Sequence, residues 1–303
     1  MPVVHGCDKF CTYCIVPLRR GRERSRPVAD VLAEVRHLAE HGVREVTLLG
    51  QTVEAFGHDL GGVDAGADLA KLFEGIERID GIVRTRFLTS YPKDMTDRII
   101  DAVADLPKVC EHFNIPVQSG SETMLARMRR GYTVAEFEER VARIRSRMPD
   151  AAIVTDVIVG CPGETEQEFA DTVALLERTQ FDIIHVAAYS PRPGTYAARH
   201  LPDDVPAEVK KERLHVVEEI HAASSASPPG LSRQVRTRPI FSVVTSPASS
   251  STPTCFFMPV SVMWNFSARS EIEASARPSC SRIPRRVVSE SAPNEASKRS
   301  AEY

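Results

Sequence analysis

Long apolar runs are missing from this 303-residue chain: no stretch reaches the roughly 18 residues that a membrane-spanning helix needs. The first residues, MPVVHGCDKF, also lack a charged segment followed by an apolar one, which is the pattern of a secretory leader. These absences predict a cytoplasmic protein with no membrane contact. The hydrophobic content of 42% is nevertheless enough for one large domain and a smaller appendage.

Cysteine is scarce and unevenly placed. The seven cysteines are an odd number, and three of them, Cys7, Cys11 and Cys14, lie within eight residues. A secreted disulfide framework does not have this distribution, whereas a metal site in a reducing compartment does. Cys110 and Cys161 are expected to be small buried residues rather than ligands.

Aspartate is absent from the last 80 residues, of which 28 are Ser or Pro. The net charge also changes, from −8 over residues 1–223 to +5 over residues 224–303. A composition of this kind does not readily offset the entropy of ordering. We therefore expect a core domain over residues 1–223 and a mostly disordered tail over residues 224–303, in which an apolar island at residues 255–264 could form a strand.

Short β-branched runs alternate with amphipathic helical segments up to about residue 221, the pattern of βα units around a parallel sheet. Six such units are fewer than the eight of a closed barrel. Because βα crossovers are right-handed, they predict an α/β fold, an open (β/α)6 partial TIM barrel with function at the carboxyl ends of its strands. The candidate strands are residues 2–5, 44–49, 82–88, 112–117, 152–159 and 182–189.

Local signals mark the helix boundaries. Thr133 and Thr165 are each followed by Glu three residues later, which predicts a capping box at the start of two helices. A last helix is expected over residues 206–221, packed outside the sheet.

The three clustered cysteines have the spacing CxxxCxxC and directly follow the first candidate strand. A 4Fe–4S cubane cluster ordinarily takes four thiolates, so three on a compact loop would leave one iron open to a substrate. A zinc site of Cys7, Cys11, Cys14 and His5 is an alternative, although such sites usually present two separated CxxC pairs and no second pair exists here. A purely structural role is a further alternative.

The cysteine segment and five later motifs resemble the methylthiotransferases of the radical S-adenosylmethionine (SAM) superfamily. Within this family the sequence is most similar to the tRNA-2-methylthio-N6-dimethylallyladenosine synthase branch. The resemblance runs from about residue 3 to about residue 221, and its motifs are specific and occur in a fixed order. They are GCDKFCTYCIVPLRRGRERSRP from residue 6, LLGQ at 48–51, PVQSGS at 116–121, RRGYT at 129–133, GCPGET at 160–165 and YSPRPGT at 189–195.

This resemblance implies that Cys7, Cys11 and Cys14 bind a 4Fe–4S cluster whose open iron binds SAM. The residues that it implies as SAM contacts are Tyr13, Gln51, Gln118, Ser119, Arg130, Gly160 and Glu164. Arg130 would pair with the SAM carboxylate, a contact that suits a guanidinium. Simpler alternatives remain open: an ordinary turn at Gln51, a helix-capping loop at PVQSGS and a solvated helix-end arginine at Arg130.

Five arginines lie within eight residues after the cysteine loop: Arg19, Arg20, Arg22, Arg24 and Arg26. A charge run of this kind is often only a solvated surface. Beside the site, however, it would concentrate positive charge on a domain of net −8, as the binding of RNA phosphates requires.

The resemblance also implies a reaction. SAM would be cleaved with an electron from an external donor, and the radical formed would remove hydrogen from C2 of an isopentenylated adenosine beside the tRNA anticodon, where a methylthio group is installed. The alternative substrates are a threonylcarbamoyl-adenosine tRNA and an aspartate of a ribosomal protein. A non-catalytic metal-binding remnant is the alternative outside this enzyme class.

Members of the family normally begin with a domain that binds a second cluster and end in a small TRAM-type β-barrel. Neither pattern is found in this sequence. We therefore expect a separate chain to supply the second cluster, this chain alone to leave methylthiolation incomplete, and a truncated or frameshifted reading to account for both ends.

Overall fold

The computed structural model describes residues 1–226, with side chains described as far as residue 224. Its contacts divide the chain into one unit of residues 1–242 and a second of residues 243–303, and the second unit lies outside the described residues. The predictions made for residues 255–264 and for the tail beyond residue 226 therefore concern residues outside the described range, whereas residues 224–226, which were assigned to the tail, continue a helix. No helix in the described range is long and apolar enough to cross a bilayer.

Strands and helices alternate through the described residues as the sequence predicts. The strands are β1 (Val4–His5), β2 (Arg24–Ser25), β3 (Glu45–Leu49), β4 (Arg84–Leu88), β5 (His112–Asn114), β6 (Ala152–Val159) and β7 (Ile183–Ala188). The helices are α1 (Val16–Arg20), α2 (Val28–Glu40), α3 (Leu69–Glu77), α4 (Asp97–Asp105), α5 (Glu122–Arg127), α6 (Val134–Arg147), α7 (Glu166–Thr179), α8 (Tyr196–His200) and α9 (Ala207–Ala226).

Six of the seven described strands are parallel, and they lie side by side in the order in which they occur in the chain. β3 pairs with β4, and β5, β6 and β7 form a second parallel group. Parallel bridges from Pro2 to Leu49 and from Thr85 to Val109 join β1 to β3 and β4 to β5. The short β2 lies outside this order and pairs antiparallel with β1. The open (β/α)6 partial barrel is confirmed, and the carboxyl ends of its six strands meet at one edge.

The main apolar core lies between the sheet and the surrounding helices. Phe73 of α3, Phe87 of β4 and Phe113 of β5 are almost fully buried, and their rings follow one another at centroid distances of 5.3 and 5.5 Å. Burial of large aromatic side chains from consecutive βα units fixes how each helix packs on its strand. The strand ends are thereby held in a defined arrangement.

Both predicted capping boxes form. Thr133 and Thr165 each accept a hydrogen bond from the backbone N–H three residues later, and the Glu there accepts one from the threonine N–H. The predicted last helix is confirmed as α9 and extends to Ala226. It packs through the fully buried Val217.

A second, smaller apolar cluster lies at the carboxyl ends of the strands. It joins the cysteine loop after β1 to α5, to β6 and to the start of α8, so the loop rests on a packed base. Its buried members are Cys11, Tyr13, Met124, Met128, Ile158, Cys161, Tyr189 and Ala197.

Candidate functional site

The loop between β1 and α1 carries the three clustered cysteines. It begins at Gly6, where φ is +79° and an added Cβ would lie 2.1 Å from the Arg22 carbonyl oxygen, so only glycine fits this close approach. The Cys7 N–H donates to the Gly21 carbonyl at 3.1 Å, and the Cys14 N–H donates to the Cys11 carbonyl at 3.0 Å. Backbone hydrogen bonds thus close the loop and place all three thiols at one end of the barrel.

All three thiols are free, and they lie in partly dry surroundings. Cys11 is buried, while Cys7 and Cys14 are half-buried. Burial raises the pKa of Cys7, and it raises the pKa of Cys14 to about 11. The electrostatic influence of the nearby Cys11 and Cys7 raises the pKa of Cys14 further.

This donor set fits a 4Fe–4S cluster. Within residues 1–224, no three His, Cys, Asp or Glu side chains converge as ligands of a single ion would. The thiolates of a cubane each bind a different iron, so a cluster does not require its ligands to converge on one point. Three thiols from one loop are the ligand type that such a cluster needs, and they leave a fourth position open.

Arg130 is buried against the cysteine loop. Its side chain is 6% exposed, and Nη1 lies 3.4 Å from Cys11 Sγ and 3.3 Å from the Tyr13 hydroxyl. Nε donates to the Tyr132 hydroxyl at 2.9 Å, and Nη2 donates to the Pro116 carbonyl at 3.0 Å. The alternative of a solvated arginine is therefore wrong, because the guanidinium is a fixed positive charge beside the thiols.

Aromatic rings and a second cation surround this guanidinium. The Arg130 Cζ lies 4.8 Å from the centre of the Tyr91 ring and 5.1 Å from that of Tyr132. Lys9, in the cysteine loop, places Nζ 4.8 Å from the Tyr91 centroid and 2.5 Å from Asp94 Oδ2. Tyr91, in the loop after β4, is thus in contact with a cation of the cysteine loop and with the buried guanidinium of Arg130.

Two of the predicted SAM contacts lie in the loop after β5. Gln118 is buried with φ of +71°, and its Oε1 has no hydrogen-bond partner. A buried acceptor without a donor is costly unless a ligand supplies one. Ser119 is fully buried instead, and its hydroxyl pairs with Thr172 Oγ1 at 3.1 Å. Ser121 caps α5, as the capping-loop alternative expects, so the loop has a structural role as well.

The loop after β6 is held by contacts within the protein. Glu164 Oε2 accepts from the Gly160 N–H at 2.6 Å and from Arg213 Nη1 at 2.7 Å. Burial raises the Glu164 pKa in spite of these donors. A Cβ at Gly160 would lie 2.3 Å from Cγ of Lys210, so this glycine makes room for α9. The Glu164 carboxylate therefore fixes the loop rather than pointing to open space. Gln51, after β3, is half-buried.

The five predicted RNA-binding arginines fall into two groups. Arg22 is paired with Asp8 at 2.6 Å, and Arg26 is paired with Glu34 at 2.6 Å. Arg19, Arg20 and Arg24 are exposed, and the structure gives none of these three an ion pair with a described residue.

Backbone strain is concentrated around the site. Five non-glycine residues in the described range have positive φ, and four of them, Phe10, Thr89, Gln118 and Arg129, lie in loops next to the site. Each such conformation costs on the order of 1–3 kcal/mol and persists only where the surrounding contacts impose it.

Sequence reasoning missed several residues of this environment. Lys9, Tyr91 and Glu54 were not singled out, although Glu54 and Tyr91 lie in the loops after two candidate strands, five residues beyond residue 49 and three beyond residue 88, a position that could have drawn attention to them. Cys161 is buried as expected, whereas Cys110 is only half-buried. Cys110 precedes β5 and so lies at the opposite end of the barrel from the cysteine loop.

Residues 1–176 match the sequence profile described as the Radical SAM superfamily. The chain is 51% identical over 218 residues to a tRNA-2-methylthio-N(6)-dimethylallyladenosine synthase from Dehalococcoides mccartyi strain CBDB1, covering 72% of this chain and 51% of the relative. A synthase of the same name from Thermotoga petrophila is 52% identical over 212 residues, covering 70% and 47%. The chain thus spans about half the length of the curated relatives that it matches.

The fold is also found in solved structures. The radical SAM methyltransferase TsrM from Kitasatospora setae aligns with a TM-score of 0.55 and 19% sequence identity, over 65% of this chain and 38% of TsrM. SuiB from Streptococcus suis aligns with a TM-score of 0.50 and 14% identity, over 73% and 45%. At these identities the likeness concerns the fold alone.

Proposed function

Since the chain belongs to the radical SAM superfamily, we propose that Cys7, Cys11 and Cys14 hold a 4Fe–4S cluster whose remaining iron binds SAM. The observation that carries this proposal is the arrangement of three free thiols on one loop, with the buried Arg130 guanidinium 3.4 Å from Cys11 Sγ. When bound, such a cluster supplies the electron that splits SAM into methionine and a 5′-deoxyadenosyl radical, and an external donor restores that electron.

The surrounding side chains would bind and orient SAM. Arg130 would pair with its carboxylate, a charge-assisted contact that the rigid guanidinium favours. Gln118 Oε1, which lacks a donor, would accept from a ribose hydroxyl. Tyr13 would lie beside the adenine. Ser119 and Glu164 would hold their loops in place through Thr172 and Arg213.

Gln51 and Gly160 would complete the contacts to SAM from the loops after β3 and β6. Gln51 is half-buried two residues after the end of β3, and Oγ1 of its neighbour Thr52 lies 3.8 Å from Cys7 Sγ. Gly160 would bring the backbone of its loop close to the adenine.

We further propose that the substrate is a tRNA carrying isopentenylated adenosine, and that the chain acts in the cytoplasm as the SAM-cleaving part of a methylthiotransferase. The support is the identity of about 50% to synthases named for this product. The exposed Arg19, Arg20 and Arg24 would contact phosphates, whereas Arg22 and Arg26 are engaged by carboxylates.

A deuterium-transfer assay tests both parts of the proposal. The full chain is reconstituted anaerobically with iron and sulfide, then given dithionite, SAM and a tRNA with deuterium at C2 of the isopentenylated adenosine. We expect 5′-deoxyadenosine that carries deuterium, because the C2–D bond breaks and its deuterium moves to the 5′ carbon. Cys11→Ala should abolish this product and the visible absorbance of the cluster. Cys110→Ala, at the opposite end of the barrel, should change neither.

The possible results separate the two claims. Formation of 5′-deoxyadenosine without deuterium would support SAM cleavage but contradict the proposed tRNA substrate. A threonylcarbamoyl-adenosine tRNA labelled in the same way provides the comparison. Failure of the wild-type chain to bind iron or to cleave SAM would remove the radical SAM proposal itself and favour a non-catalytic remnant.

A further inference from the structure

An exposed tyrosine lies beside the cysteine loop with an arginine stacked on it. Tyr196, the first residue of α8, is 42% exposed. The Arg129 Cζ lies 4.0 Å from the centre of its ring, and the His200 ring lies 4.6 Å away at an angle of 40°. We call Arg129, Tyr196 and His200 the Tyr196 platform. It presents flat, polarizable groups to the outside of the domain.

The backbone fixes this platform next to the proposed cluster. The Ala197 N–H donates to the Thr12 carbonyl at 2.8 Å, which joins the residue after Tyr196 to the middle of the cysteine loop. The Thr12 N–H in turn donates to the Met128 carbonyl at 3.0 Å, next to Arg129. Tyr196 and Arg129 are therefore each next in sequence to a residue that hydrogen-bonds to Thr12, which lies between Cys11 and Cys14.

The conformation of Arg129 separates it from its neighbour. With φ of +56° this residue is in the left-handed region, which non-glycine side chains rarely adopt. As a result Arg130 is buried against Cys11, whereas Arg129 is exposed over Tyr196. The strained turn thus supplies one cation to the interior of the site and one to its rim.

Positive charge near the platform is not neutralised by ion pairs as it is on α6. On α6, Arg140, Arg143 and Arg147 are each paired with an aspartate of α4. By contrast, the described residues offer no ion pair to Arg129 or to Arg199, both of which are exposed.

The arginines of α1 extend the same rim. Helix α1 lies beside α8, because a Cβ at Gly194 would meet Leu18 at 3.5 Å and Arg199 at 3.9 Å. Arg19 and Arg20 therefore add their charge there.

We propose that the Tyr196 platform stacks an unpaired nucleobase of the RNA next to the nucleotide that enters the site. This inference rests on the proposed RNA substrate. Tyrosine rings and arginine planes stack on any base face, and nearby free cations attract the adjoining phosphates. A base inside a duplex is already stacked on both faces, so the platform fits single-stranded loop RNA and not a helix.

Fluorescence of a base analogue provides the test. The full reconstituted chain is titrated with an RNA hairpin whose seven-nucleotide loop carries 2-aminopurine, and with a blunt duplex of the same composition. We expect quenching of the 2-aminopurine emission on binding to the hairpin. Tyr196→Ala should weaken binding about tenfold, within the range measured for loss of one base–aromatic stack, and should relieve the quenching. Tyr196→Phe should preserve both.

Two arginine variants test whether the effect comes from the platform itself or from the loss of any positive charge. Arg129→Ala should weaken hairpin binding and reduce quenching, because Arg129 lies on the ring. Arg78→Ala is the matched control: Arg78 is also exposed, but it follows α3 at the opposite end of the barrel. It should leave both signals unchanged. Iron content and far-UV spectra should agree among all variants.

Three results would overturn the inference, and they differ in whether the proposed RNA substrate falls with it. If Tyr196→Ala binds and quenches like the wild type, the platform does not stack a base while RNA binding stands. If the wild-type chain binds no RNA in low salt, the proposed substrate is wrong and the platform proposal falls with it. Equal loss of hairpin and duplex binding in Tyr196→Ala would also contradict stacking of an unpaired base.

Discussion

Glu54 is a carboxyl group buried between the loops after β3 and β4. It is 1% exposed, and its Oε2 accepts the Tyr91 N–H at 3.2 Å, while Oε1 has no partner. Burial raises the Glu54 pKa to about 8. A carboxyl in these surroundings is mostly protonated at pH 7, so it holds Tyr91 close to Arg130 while adding little negative charge to the site.

We predict that Glu54→Gln stabilises the metal-free chain, and more so at pH 8 than at pH 5. The unfolded carboxyl ionises near its ordinary pKa of 4.5, whereas the folded one keeps its proton up to about 8. Between these values the folded state binds the extra proton, so wild-type stability falls by about 1.4 kcal/mol per pH unit from this group alone. Gln keeps an acceptor for Tyr91 and does not titrate. Melting temperatures of both chains measure the difference.

Glu54→Ala is the control for this prediction. It also removes the titrating carboxyl, but it leaves the Tyr91 N–H without its acceptor and opens a cavity, so it should be less stable than Glu54→Gln at both pH values. A Glu54→Gln advantage that stays constant from pH 5 to pH 8 would show that Glu54 does not titrate in this range.

The sequence predicted single site residues to different extents. Arg130 and Gln118 lie in recognisable motifs, and the structure places Arg130 beside the thiols and leaves Gln118 with a free acceptor. Tyr91 and Glu54 lie outside these motifs, and their roles arise from packing between loops about 37 residues apart in sequence. Contacts of that kind leave no local pattern, because neither residue type nor spacing indicates the partner.

At the scale of elements, helix α7 packs directly against the loop after β5. A Cβ added at Gly120 would lie 2.6 Å from the Asp171 carbonyl oxygen and 2.6 Å from the Thr172 Cα, both in the α7 backbone. The Gly120 N–H donates to Thr172 Oγ1 at 2.9 Å. This close approach fixes the loop that carries Gln118 relative to the helix.

We predict that Gly120→Ala destabilises the chain by about 1–3 kcal/mol, the usual cost of overpacking, since a helix backbone cannot move as freely as a side-chain end. Gly61→Ala is the matched control. No atom lies within 4 Å of a Cβ there, and its φ of −128° suits any residue. Urea unfolding of both variants measures the effect. Equal stability of the two would show that α7 can shift without cost.

Elements were more predictable than contacts. The capping boxes at Thr133 and Thr165 formed where the sequence placed them, because a cap is a local hydrogen-bonding pattern. β5 was expected over residues 112–117 but ends at Asn114. Beyond it the chain reaches Pro116 and a left-handed Gln118, and the strand pairing continues only as an isolated bridge to Val157. Alternation of apolar residues could not indicate that turn.

At the scale of the whole molecule, the composition of the chain changes near the end of α9. Residues 1–223 carry a net charge of −8, and residues 224–303 carry +5. Among the described residues, the main apolar core includes Val217 of α9, and the partly buried Ile220 packs against it. Arg213 of the same helix reaches Glu164 at 2.7 Å. Helix α9 is thus an integral part of the domain that carries the site.

We therefore predict that a chain ending at residue 226 melts within about 2 °C of the full chain. Residues 227–303 are rich in Ser and Pro and have no regular apolar pattern beyond the short run at 255–264, so they should add little buried area, while about 1 kcal/mol corresponds to about 2–4 °C in a domain of this size. A chain ending at residue 206 is the control. It lacks α9, so it should expose the apolar surface that covers β7, leave Glu164 without Arg213, and melt far lower or aggregate. Calorimetry of the three chains makes the comparison. A loss of more than about 5 °C on removal of residues 227–303 alone would show that they contribute to a core shared with the barrel.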